Sequence, residues 1–408
     1  MINIENFNLN HFIYKLYFSL VFCIFFSTVD VIPTSIYYGF VGLNILLTIL
    51  LFLALIRNNF LNYKDLVLTL LFIFPIFLSQ FFNINNSPNL VRFILIIIFY
   101  PIIFFILNYI VSRFSIEKIL SPIVLSIGVI SIFSALSSLG IVEFEFYGSD
   151  ASTLDYYADV YSRDRLLAIN GIYLNQNSFA SILLIGFFSF LNFFISCNKK
   201  ILKILSALML FFILILLFLT LARAAIFSVL IGSIFFYIFS NVKIYLKVSI
   251  LALFALLILA LIFISQYGEM FVAKLDSAGL SYRDVIWADA LDKFNQNLFF
   301  GVGLGNYQFI SGGHVYSTHN LYLFFLVSLG ILGVSSFILV VLFFLKKLVE
   351  RIVFYRSDKT ILIFSSCVVA ILIHQFFEVE LDNPFKPLSF FFLLSIAYLF
   401  SRPVKNIR

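Results

Sequence analysis

Apolar runs of about 18 or more residues, separated only by short polar or Pro/Gly-containing joints, recur from one end of this chain to the other. A helix of that length crosses the hydrocarbon layer of a bilayer, whereas a buried helix in a soluble protein is usually shorter. In hydrocarbon each backbone amide and carbonyl must be paired within the structure, which a helix does on its own. Composition agrees, because 62% hydrophobic and 11% charged residues, with a mean hydropathy of +1.10, cannot be hidden in one globular core. Soluble domains carry roughly 25% charged residues. The expected fold is an all-α polytopic membrane protein of about 12 transmembrane helices, with residues 1–408 forming a single integral membrane domain.

The runs place spans at 12–31, 36–56, 65–82, 90–111, 119–140, 171–196, 201–220, 222–240, 244–266, 319–345, 360–377 and 385–401. An even number puts both termini on one side. With the amino terminus inside, most of the 26 Lys and Arg fall in inner loops, as orientation by positive charge requires. Most of the others belong to two long outward loops, 141–170 and 267–318, where that rule is weakest. The second loop separates spans 9 and 10. The net charge of +6 therefore reports topology and not nucleic acid, since the basic residues form no long tract. Cys23, Cys197 and Cys367 sit in or beside apolar runs without CxxC spacing or His neighbours, which argues against a disulfide framework or a zinc site. The first run lacks a small-residue cleavage site and reads as a retained anchor.

Ionisable residues inside spans are the default functional pointers in a membrane protein, and here they are scarce. His374, followed by Gln375 and Glu378, is the clearest, and a neighbouring helix or interfacial water would satisfy it. A pump or ion-coupled transporter should carry more midplane charge and more broken helices. Polar residues gather instead on the outer side: Arg223, Arg283, His314 and His319. Arg223 opens a span, where a lone cation simply snorkels to headgroups. Arg283 begins a segment, 281–297, with Ile286, Ala290, Leu291, Phe294 and Leu298 at helical spacing, the pattern of an amphipathic helix on the membrane surface. There Arg283 has Asp284 or Asp289 as ordinary partners, and Trp287 suits either the interface or packing. His319 lies just before an apolar helix, with Ser317 or Thr318 available as the cap. A helix amino terminus disfavours imidazolium, leaving a neutral ring that can accept a proton. The glycines of Gly301-Val302-Gly303-Leu304-Gly305 fit a tight turn, since the chain lacks the α/β unit of a dinucleotide site.

Read in order, these pieces form a pattern: Arg223 at a span start, Arg283-Asp284-Val285-Ile286-Trp287, Gly301-Val302-Gly303-Leu304-Gly305-Asn306-Tyr307, His319-Asn320-Leu321-Tyr322-Leu323, then Gly330-Ile331-Leu332-Gly333. The pattern resembles the O-antigen ligase and polymerase superfamily, and Asn175-Gln176-Asn177-Ser178-Phe179-Ala180 resembles an Asn-rich segment found earlier in those proteins. The resemblance implies a glycosyltransferase on the periplasmic face of a bacterial inner membrane, with both termini cytoplasmic. Its donor would be a glycan linked through diphosphate to undecaprenol. It assigns the diphosphate to Arg223 and Arg283 and the general base to His319, in a one-step inverting transfer without cofactor or metal. Arg163, Arg165, His314 and Asn320 would contact a second substrate. The expected partners are undecaprenyl-diphosphate-linked oligosaccharides and membrane lipids, with a chain-length regulator or flippase as the protein partner. The loop 141–170, acidic but ending in Arg163 and Arg165, favours a polymerase of lipid-linked repeat units. A ligase passing the glycan to lipid A core, and a lipid-linked sugar transporter or flippase, are the alternatives.

Overall fold

A computed structural model of the protein describes residues 9–57, 74, 76–83, 95–142, 169, 171–240, 283–311, 314–354 and 358–401. The apolar runs within them are helices: α1 (Leu9–Phe26), α2 (Thr34–Arg57), α3 (Tyr100–Arg113), α4 (Ile116–Ser138), α5 (Gln176–Ser196), α6 (Lys200–Leu219) and α7 (Arg223–Phe239). The second half holds α8 (Arg283–Gln296), α9 (Leu321–Phe354), α10 (Lys359–His374) and α11 (Pro387–Ser401). Among the described residues six helices are long and apolar enough to cross a membrane, α9 makes a seventh when its two bent stretches are taken as one span, and α7, α10 and α11 are shorter apolar helices. By this measure the chain is a multi-pass membrane protein. The expected span 244–266 lies outside the described residues, as do most of 65–82 and all but the edges of the loop 141–170, including Arg163 and Arg165. Among the described residues the structure departs from an all-α chain at one small hairpin, β1 (Phe309–Ser311) against β2 (His314–Tyr316), which pairs Ile310 with Val315.

α5 is the centre of the bundle. Phe179, Leu183, Phe188 and Phe193 are all buried, and the helix packs against α4, α6, α7, α10 and α11. Its free amides are capped by Asn175, whose Oδ1 accepts from Asn177 N at 2.8 Å. α7 and α10 pack closely, and Gly232 makes this possible: a Cβ there would lie 2.8 Å from the Ser366 carbonyl oxygen and 2.9 Å from Ala370 Cβ. The outer faces of α2 and α6, with Leu46, Leu53, Ile201 and Leu208 exposed, are the apolar surface offered to lipid.

α9 was expected as one uninterrupted span, and it is broken. Gly330 has φ 65° and ψ −170°, which interrupts the helix there, and farther along, at residue 336, the stretches Leu321–Ser335 and Phe337–Val353 meet at 66°. A break in hydrocarbon is tolerated only where other protein groups take up the freed backbone. The glycine turn does so here. Val302 N and Gly303 N each donate at 2.9 Å, to the carbonyls of Val327 and Ser328, while Ile331 N donates to Leu298 O at 2.9 Å and Leu332 N to Phe299 O at 3.3 Å. The approach is so close that a Cβ on Gly301 would stand 2.5 Å from the Ser328 carbonyl. The tight turn anticipated at Gly301 is thus also the patch that closes the broken span, which explains why glycines occur at both places. Ser79 and Asn83 Nδ2 further donate to Phe300 O, tying the short helix over 76–82 to the same turn.

Candidate active site

The helix over Arg283 is not a free surface helix. Ile286 and Ala290 are buried, and Ala290 packs with Tyr307 and Val327 of the broken span. Leu291 and Leu298, expected on the apolar face, are exposed. Trp287 turns inward too, donating from Nε1 to Thr318 O at 2.9 Å. Tyr307 donates its hydroxyl to Ile286 O at 3.0 Å and Asp289 Oδ2 at 3.1 Å; burial first, then Asp289, pushes that phenol up. Asp289 is therefore engaged by Tyr307. α8 is pinned on one side to the glycine turn and on the other to the residue preceding His319.

His319 has φ 46°, a left-handed conformation uncommon for a residue with a side chain. Its N–H donates to Ser317 Oγ at 3.3 Å. The cap of α9 is not Ser317 or Thr318 but Asn320, whose Oδ1 accepts from Leu323 N at 3.0 Å, while the Thr318 hydroxyl donates to Asn320 O. Local geometry explains the correction: Asn320 immediately precedes the first helical residue and reaches the third amide, the usual capping contact. The helix also gains a backbone bond from outside, Leu321 N to Gln375 O at 2.9 Å.

That last bond joins His319 to the segment between α10 and α11, an irregular stretch made rigid by its own polar groups. Gln375 Oε1 accepts from Glu380 N at 3.0 Å and Leu381 N at 3.1 Å. Ser389 donates to Glu380 O, Tyr100 to Leu381 O, and Lys386 Nζ to Val379 O at 3.0 Å with Asp382 at 2.8 Å. Burial pushes the Glu380 carboxyl up, against the pull of Lys386. This shelf presents Glu378.

Glu378 gathers the site. Its Oε1 accepts from Asn177 Nδ2 at 2.8 Å and from Arg283 Nη2 at 3.2 Å, and its Oε2 lies 3.3 Å from His319 Nδ1. The carboxylate side chain is 9% exposed, against 21% for Arg283 and 30% for His319, so the acid stands behind and the cation and imidazole in front. Burial would raise the Glu378 carboxyl, but the hydrogen bond from His319 and the charges of His319, His374 and Arg283 outweigh it and hold the group below the usual carboxylate range. His374, read as a polar group satisfied by a neighbour, is buried with its Nδ1 lacking a hydrogen-bond partner among the described residues.

The structure thus brings Arg283 and His319 together across Glu378 and adds Asn177 from the Asn-rich segment. Arg223 starts α7, just after the turn that ends α6, and Gly232 of the same helix packs against Ser366 and Ala370 of α10. Two residues before it, Leu221 is, among the described residues, the other non-glycine residue with positive φ, at 53°, with Thr220 Oγ1 accepting from Ala222 N. Asn320 caps α9 and His314 lies in β2. Asn320, next in the chain to His319, lines an apolar cavity of about 480 Å³ together with Trp287, Leu291, Leu323, Leu326, Val334 and Phe337 among others. Glu378 carried a sequence signal, an acid just past an intramembrane histidine, but nothing local linked it to Arg283 or His319.

No curated protein matches the chain. A family model described as O-antigen ligase matches residues 207–338, the segment that carries Arg223, Arg283 and His319, and this match supports the chain's place in the O-antigen ligase and polymerase superfamily that its motifs resemble.

Proposed function

We propose that the protein is a surface-polysaccharide polymerase of the bacterial inner membrane, with 12 spans and both termini cytoplasmic. It joins undecaprenyl-diphosphate-linked repeat units on the periplasmic face. The observation that carries the glycosyl-transfer reading is the placement of Arg283 and His319 on the two oxygens of buried Glu378, beside an apolar cavity. A base and a cation within one side-chain length of each other match the demands of the reaction. The acceptor hydroxyl must lose a proton as its oxygen attacks the anomeric carbon, and the departing diphosphate must be stabilised as its negative charge develops. His319 takes the proton. Arg283, whose fork has donors beyond the one given to Glu378, and Arg223 hold the diphosphate. Attack opposite the leaving group inverts the anomeric centre, and the two cations do the work that a metal does elsewhere. The apolar cavity accommodates the first isoprene units of the lipid.

The loop 141–170, with Arg163 and Arg165, favours a second lipid-linked substrate and hence polymerisation. The second reading is a ligase that passes the glycan to lipid A core, and the family match is compatible with both. Purified protein incubated with lipid-linked repeat units, with and without lipid A core, separates them: longer lipid-linked chains support the polymerase, and glycan on lipid A core supports the ligase. His319→Ala is expected to abolish either product while leaving membrane insertion intact. Wild-type turnover by that variant removes His319 as the base.

A further inference from the structure

Glycosyl transfer with His319 as base needs a free lone pair on the correct ring nitrogen, and the structure contains a device that sets it. We propose that Glu378 is a positioning residue for His319: by accepting from Nδ1 it leaves the lone pair on Nε2, and Asn177 and Arg283 hold the carboxylate in the orientation that does so. This rests on the transfer reading above. A neutral imidazole carries one proton, and an ionised carboxylate only accepts, so the 3.3 Å contact between Nδ1 and Oε2 places the proton on Nδ1. The other oxygen is occupied by two donors, Asn177 Nδ2 and Arg283 Nη2. Asn177 cannot drift, since its backbone is the first capped amide of the central helix.

The surroundings show that this ring is placed and not merely tolerated. His319 holds a left-handed backbone conformation, which costs about 1–2 kcal/mol for a residue with a Cβ. It is clamped on both sides, by Trp287 on Thr318 and by the Asn320 cap. Glu378 is fixed by its shelf, with its own N–H on His374 O at 3.2 Å. In the reaction the acceptor O–H proton moves to Nε2 and that bond's electron pair forms the new C–O bond at the anomeric carbon. The old anomeric C–O bond breaks with its pair leaving on the diphosphate. The imidazolium formed lies against the Glu378 carboxylate, which stabilises it as it develops.

The test is Glu378→Gln, which keeps the shape and exchanges one oxygen for NH2. Because two donors converge on the Oε1 position, the amide carbonyl turns toward Asn177 and Arg283 and the NH2 faces Nδ1. Nδ1 must then accept, the proton moves to Nε2, and the base is lost. The expected result is a fall in kcat of about 10³- to 10⁴-fold, the scale seen when an orienting carboxylate becomes an amide, with donor KM changed by less than about threefold. The double variant Asn177→Asp with Glu378→Gln moves the carboxylate across the contact and turns the amide carbonyl back to Nδ1–H. It is expected to recover at least about tenfold in kcat over Glu378→Gln. Near wild-type kcat in Glu378→Gln overturns the proposal, and so does an equal loss in single and double variants that melt normally. If the double variant does not fold, Glu378→Asp decides: it retains the carboxylate, and activity no better than that of Glu378→Gln overturns the assignment. His319→Ala separates this from the parent reading. An inactive His319→Ala beside an active Glu378→Gln defeats the positioning role alone, whereas an active His319→Ala defeats the transfer mechanism itself.

Discussion

Gly330→Ala tests whether the broken span and the glycine turn act as one unit that spaces the base from the cation. At φ 65° a Cβ on residue 330 would lie 2.5 Å from the carbonyl carbon and oxygen of Phe299 and 2.5 Å from Gly301 N. The left-handed conformation alone costs an alanine about 1–2 kcal/mol. The contact is worse, because all three atoms are backbone and the turn must retreat by about an ångström to reach ordinary van der Waals distance. That retreat strains the four backbone hydrogen bonds between 298–303 and 327–332, of which the two accepted by buried Val327 and Ser328 are each worth about 1–3 kcal/mol when left unmade. Losing two of them brings the expected destabilisation to about 3–8 kcal/mol. α8 hangs from this turn through Tyr307, and α9 contains the break, so the same movement shifts Arg283 relative to His319. A misplacement of about 1 Å at a reacting centre lowers rate by about a hundredfold. The assay pairs the thermal midpoint of the detergent-purified variant with its turnover of lipid-linked donor. A variant that melts and turns over like the wild type refutes the coupling.

Asn320→Ala is expected to lower stability by about 1 kcal/mol through loss of the α9 cap, and Asn320→Asp to retain it. Should both variants melt normally and raise acceptor KM, Asn320 is a substrate contact and not a cap. The depressed Glu378 carboxyl gives a pH dependence whose sign is fixed. Its stabilisation is fully present above the unfolded glutamate value of about 4.3 and is lost as pH falls through the lower folded value. The difference in thermal midpoint between wild type and Glu378→Gln should therefore shrink as pH falls below about pH 4; a difference that does not shrink there contradicts the depressed value.

Much of this site was legible along the chain, and the limit has a physical cause. Apolar runs mark helices because hydrocarbon imposes one rule on every backbone group in it, so α1 through α7 fall close to the expected spans. Arg283 and His319 stood out because cations and imidazoles are rare in so apolar a chain. Their union did not, since it runs through Glu378, 95 residues from Arg283 and 59 from His319. The break at Gly330 was hidden for the same reason: its cost is offset by backbone atoms of a turn some thirty residues earlier, while the sequence around it stays apolar and helical in pattern. Trp287 was open between interface and packing because an indole N–H satisfies either, and only the position of Thr318 O decides.

The division of the site between matched and unmatched segments bears on how its parts act. Arg223, Arg283 and His319 all fall within residues 207–338, whereas Asn177 and Glu378 lie outside. Of the groups proposed to meet diphosphate and hydroxyl, Arg283 and His319 are carried by one unit, α8, the glycine turn and the first half of α9, while Arg223 comes from α7. The groups that orient them come from the central helix and from the shelf after α10. These two sets meet at the Glu378 carboxylate, at the Leu321–Gln375 backbone bond and where the Tyr322 ring packs on Phe376. A change on the shelf that spares Glu378 itself should therefore alter rate with little effect on donor affinity. A change in the α8 unit should alter both, since it moves the diphosphate cation together with the base.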